Sequence, residues 1–81
     1  MTETIIYRGR VTQLHKPPEI SYVALVDLST GKLEKDVPAD SERLITAGLQ
    51  PNDEFEIVIQ SDKKSSKNLI RKIQTQLEFN L

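Results

Sequence analysis

Few residues of this chain have the types or spacings that chemistry requires. His15 is the only histidine, and there is no cysteine. A lone imidazole beside Lys16-Pro17-Pro18, in an expected loop, reads as a solvated surface ring. A general base would need an oriented partner as well as a proton to abstract. Without cysteine there is no thiolate nucleophile and no disulfide framework. Gly9, Gly31 and Gly48 lie too far apart to cradle a phosphate, and no nucleophile-elbow or dinucleotide-binding spacing occurs. Zinc or iron would need several nitrogen or sulfur ligands. Glu34, Asp36, Asp40 and Glu42 could offer oxygens to a hard cation. Their spacing is not that of a calcium loop, and no glycine supplies its sharp turn, so they read as solvated carboxylates. The expectation is a non-catalytic chain with no metal ligands and no cofactor.

Charge is more informative as a distribution than as a total. The net charge is −1. Arg8, Arg10 and Lys16 make the first third slightly basic. Asp27, Glu34, Asp36, Asp40, Glu42, Asp53, Glu54 and Glu56 make the middle acidic. Lys63, Lys64, Lys67, Arg71 and Lys72 make the last third basic. If the two ends lie side by side, one face could steer an anionic partner. Arg8, Arg10, Lys63, Lys64, Lys67, Arg71 and Lys72 are therefore the candidate nucleic-acid contacts, through phosphate neutralisation. Tyr7 and Tyr22 align with the expected core instead of interleaving with these bases, so no stacking platform accompanies them. A solubilising basic loop is the stronger reading of the lysines.

These side chains must be held by short strands. Thr4–Leu14 alternates apolar and polar residues, with a bulge expected at Gly9, and Lys16-Pro17-Pro18 ends it. Ile20–Leu28 is a second strand, with Ile20, Tyr22, Ala24, Val26 and Leu28 on one face. Asp27–Lys32 is a hairpin turn containing Gly31, and Leu33, Lys35 and Val37 form a short third strand. Pro38–Ala47 reads as a helix with Pro38 in its first turn, Asp40 or Asp36 as cap, and Gly48 as the residue that ends it. Pro51-Asn52-Asp53 is a turn into a strand over Glu54–Gln60. Ser61–Lys67 reads as a mobile loop. After it, Ile70, Ile73 and Leu77 fit a helical stripe, whereas Ile73, Thr75, Leu77, Phe79 and Leu81 fit a strand. A strand over Asn68–Gln74 is preferred, with an adaptable tail from about residue 75.

The length of 81 residues gives one domain with a thin core. The fold class expected is mainly β: a small, five-stranded, partly open barrel in the order β-β-β-α-β-β, with one short helix. An oligonucleotide-binding barrel has this order of elements, and an SH3-like barrel is the near alternative. With Ile5, Tyr7, Val11, Tyr22, Ala24, Val26, Leu28, Leu33, Val37, Phe55, Ile57 and Ile59 facing inward, Ile6, Val23, Leu25 and Val58 would point outward. These four are the candidate protein interface, unless the tail folds over them through Leu77, Phe79 and Leu81. The expected partner is a protein or a second copy of the chain, with nucleic acid as the alternative. No apolar run suits a bilayer span, and Met1-Thr2-Glu3-Thr4-Ile5 lacks the basic start of a secretory signal, so a cytoplasmic location is expected.

From Leu33 to Ile59 the chain resembles the swapped-hairpin DNA-binding proteins of the AbrB and MazE-antitoxin type. The matching residues are Val37-Pro38, Leu44, Gly48-Leu49, Pro51-Asn52-Asp53 and Phe55/Ile57/Ile59, with Asn52 where that pattern has glycine. The resemblance implies an intertwined homodimer that binds DNA through basic residues on its hairpins. No DNA-contact motif matches residue for residue, so it assigns no contact residue here.

Overall fold

A computed structural model describes residues 2–73. The elements are β1 (Thr2–Gln13), β2 (Ser21–Asp27), β3 (Leu33–Ala39), α1 (Ser41–Thr46), β4 (Glu54–Ser61) and β5 (Ser66–Lys72). All strand pairings are antiparallel, in one sheet of order β3-β2-β1-β4-β5. The five strands and single short helix occur in the expected order. The sheet is open, so its edges are β3 and β5. The tail from residue 75, with Leu77, Phe79 and Leu81, lies outside the described residues.

Several local expectations need correction. Gly9 is not bulged; it pairs in register with Leu25 and Phe55, and β1 shifts register instead at Ile5/Tyr7 and at Val11/Gln13. A Cβ on Gly9 would lie 2.6 Å from the Phe55 ring and 2.7 Å from the Ala24 carbonyl oxygen. Glycine is required because the aromatic ring packs onto the bare backbone. Pro38 belongs to β3, opposite Tyr22, and not to the helix. An edge strand tolerates proline because its outer side needs no ladder donor. The expected loop over Ser61–Lys67 shrinks to a tight turn at Asp62–Ser65. There the Asp62 carboxylate accepts the Lys64 and Ser65 N–H groups at 2.9 and 3.0 Å. The polar Ser66 and Lys67 then join an edge strand.

The helix is only six residues long, and both its ends are chemically closed. The Asp40 carboxylate accepts the Glu42 N–H at 3.0 Å. At the other end Gly48 has φ +81°. Its N–H donates to the Ile45 carbonyl, and the Leu49 N–H donates to the Leu44 carbonyl. This paired arrangement satisfies the last helical acceptors and brings Leu44 and Leu49 together, both buried.

The core shows that one face assignment is inverted. Val11, Val23, Leu44, Leu49 and Phe55 are buried, flanked by Leu25, Val37, Ile57 and Ile70 among others. The odd-numbered residues of β2 therefore face the helix, and Tyr22, Ala24 and Val26 line the opposite face. Both faces of β2 are apolar, so alternation by itself leaves the choice open; the pairing of Val11 with Val23 and of Gly9 with Leu25 decides it. Phe55 and Ile57 point inward as expected. Ile5, Leu28 and Leu33, assigned to the interior, are 42%, 44% and 51% exposed. The register shift after Ile5 places it beside Val58 on the face away from the helix. Among the described residues, no helix is long and apolar enough to cross a membrane.

Candidate interaction surfaces

The topology separates the two basic ends by an acidic strand. β4 lies between β1 and β5, so Glu54 stands opposite Arg10, and Glu56 stands between Arg8 and Arg71. Arg10 Nη2 meets Glu54 Oε2 at 2.6 Å. Arg71 meets Glu56 at 2.9 Å and Glu3 at 3.2 Å, while the Gln60 side-chain amide donates to Glu3 at 2.7 Å. Bonds from Gln60 and then Arg71 hold the Glu3 carboxyl below its ordinary range. Bonds to Glu56 and then Glu3 hold the Arg71 guanidinium above its own.

An apolar row crosses the same face of the sheet. Ile5, Val58 and Leu69 form one row across the sheet, with Glu56 and Arg71 on one side of it and Glu3 and Gln60 on the other. The Arg71 guanidinium bonds Glu56 on one side of that row and Glu3 on the other. Val58 in the row is 0% exposed although it faces away from the helix.

The remaining candidate bases are dispersed. Lys72 Nζ meets Asp53 Oδ2 at 3.2 Å and donates to the Gly48 carbonyl at 3.4 Å, tying β5 to the helix C-terminus. The Gln50 N–H, and then Lys72, lower the Asp53 carboxyl. Lys63 and Lys64 are exposed at the tip of the β4–β5 turn, and Lys67 is exposed beside it. Arg8 is exposed and has no ion pair among the described residues. The structure therefore does not gather the seven bases into one positive face.

The four candidate interface residues are not gathered either. Val23 is 2% exposed and Val58 0%, on opposite faces, and Leu25 packs on the core. Ile6 is half-buried at the register shift. The exposed large apolar side chains among the described residues are Ile5, Ile20, Leu28, Leu33 and Ile45; Ile5 and Leu28 line one shallow groove, and Leu33 with the half-buried Val26 lines another beside Arg8.

Ser21, His15 and Glu19 sit close together, but not as a nucleophile and its base. The His15 backbone N–H donates to Ser21 Oγ at 2.9 Å. The Ser21 hydroxyl contacts Ser41 Oγ, and the Ser41 hydroxyl donates to the Glu19 carbonyl. Both buried hydroxyls are used to fasten the β1–β2 connection to the start of α1. The imidazole points elsewhere, its Nε2 3.3 Å from Gln13 and its Nδ1 3.8 Å from Glu19. Among the described residues, no three histidine, aspartate or glutamate side chains gather as a metal site.

The remaining feature is the seam between the two sheet edges. A cleft of about 220 Å³ is lined by Leu25, Val37, Phe55, Ile57 and Ile70, with Asp40 and Arg43 among its polar lining. It is smaller than the roughly 300–1,000 Å³ typical of small-molecule pockets. No family model, no curated protein and no solved structure matches this chain.

Proposed function

We propose that this chain is a small, non-catalytic interaction module that binds a protein partner, or a second copy of itself, through exposed strand surface. The observation that carries the reading is the open seam: two sheet edges flank an apolar cleft. Unpaired edges of this kind are templates for another chain. In this reading the architecture is a partly open barrel whose unjoined lips are β3 and β5, and its home is the cytoplasm.

The second reading is a DNA- or RNA-binding regulator of antitoxin type. In its favour, Lys63, Lys64 and Lys67 are exposed around one turn. Against it, Arg10, Arg71 and Lys72 are already paired with carboxylates. Titration of the full chain with duplex and single-stranded DNA at low salt separates the two. The module reading expects no binding. Affinity that falls steeply as salt rises would replace it with the regulator.

A further inference from the structure

The two edges of the sheet are not equivalent. β3 is blunted: Pro38 offers no N–H, and Asp36 sits at φ +57° where the register with β2 shifts. β5 has neither device. It pairs with β4 without a register shift along all seven residues. The Ile73 N–H donates to the Glu54 carbonyl. In that antiparallel register the main-chain groups of Lys67, Leu69 and Arg71 point to β4, and those of Asn68, Ile70 and Lys72 point away from the sheet.

The direction of an added strand is also fixed. β1 is antiparallel to β2 and β4, β2 to β3, and β4 to β5. Hence β3 and β5 run the same way. One strand running the opposite way can pair antiparallel with β5 and approach β3 in the same sense. Every second side chain of such a strand would lie on the Ile70 side, over the cleft lined by Leu25, Val37, Phe55 and Ile57. The intervening side chains would lie beside Lys67, near Lys63 and Lys64, where acidic groups are complementary.

We propose that β5 accepts an extended segment of a partner protein, antiparallel to it, apolar at alternate positions and acidic between them, with the apolar side chains filling the seam. This rests on the interaction-module reading and specifies its partner. The chemistry is strand addition, in which main-chain bonds supply affinity and alternate pockets supply selectivity.

The test is amide exchange by NMR on the full chain, with a capped heptapeptide alternating glutamate and leucine as probe. At a peptide concentration ten times the dissociation constant, exchange at Asn68 and Ile70 should slow about tenfold. A peptide with serine in place of leucine should give no slowing. Asn68→Pro removes an outward donor without removing a ladder bond, so it should abolish the effect, while Asn68→Ala retains it. Unchanged exchange at Asn68 and Ile70 under excess peptide overturns the proposal, as does undiminished binding by a folded Asn68→Pro. If that variant does not fold, the wild-type exchange decides alone. Protection that grows with protein concentration without peptide would assign the edge to a second copy. The partner-strand proposal would then fall while the module reading stands; DNA binding would remove the reading itself.

Discussion

At the scale of single residues, the contact between Gly9 and Phe55 carries more than either residue suggests. Phe55 is 1% exposed and is the largest fully buried side chain among the described residues. Its ring occupies the space a Cβ on Gly9 would need, and the Ala24 carbonyl closes the other side. The Leu25 side chain closes in as well, and because the Ala24 clash is with backbone, side-chain repacking alone cannot relieve it. Gly9→Ala should therefore cost about 1–3 kcal/mol, read as a lower urea midpoint with an unchanged slope. Phe55→Ala should cost about 3–5 kcal/mol. That is a large share of the roughly 4–12 kcal/mol expected of a domain this size. A Gly9→Ala variant as stable as the wild type would place the ring elsewhere.

At the scale of elements, α1 is too short to persist on propensity alone, so its ends and its buried Leu44 hold it. Gly48 has open space around its missing Cβ, so Gly48→Ala tests backbone strain without a clash. A cost of about 1–2 kcal/mol is expected from the left-handed conformation, and Asp40→Ala should cost about 0.5–2 kcal/mol through the lost cap. Thermal melts of the two variants check both values. A neutral Gly48→Ala would mean that the helix does not end as described. The same scale explains the sheet edges: a proline and a register shift blunt β3, while β5 pairs with β4 without interruption and has neither device.

At the scale of the whole molecule, carboxylates join segments that are distant in sequence. Glu3 links the first strand to the last, and Asp53 links the turn after the helix to β5. Asp27 and Asp62 organise the two hairpin turns, and all four carboxyls are held below their ordinary values. For such groups the stabilisation is complete above the unfolded value, near 4, and is lost as pH falls through the lowered folded value. The melting temperature should therefore hold from neutrality to about pH 5 and decline steadily below about pH 4. Scanning calorimetry across that range checks it, and stability that rises on acidification would contradict these pairings.

Much of this protein is local and was legible in the residues themselves. The Asp27–Lys32 turn, an aspartate cap before the helix (Asp40 or Asp36, of which the structure uses Asp40), the stop at Gly48-Leu49 and the alternation of Glu54–Gln60 each arise from neighbours along the chain. Their steric and hydrogen-bonding rules operate without tertiary partners. Three things were decided only by the folded sheet. β2 is apolar on both faces, so its orientation waited on pairing with Val11 and Gly9. The charge distribution along the chain allows the basic ends one positive face, and β4 prevents it by placing Glu54 and Glu56 between them. Val58 is buried on the face away from the helix, in a row that pairing assembles from Ile5 and Leu69 on two other strands. In each case the deciding neighbour lies on another strand, and composition and periodicity carry no record of which strand lies beside which.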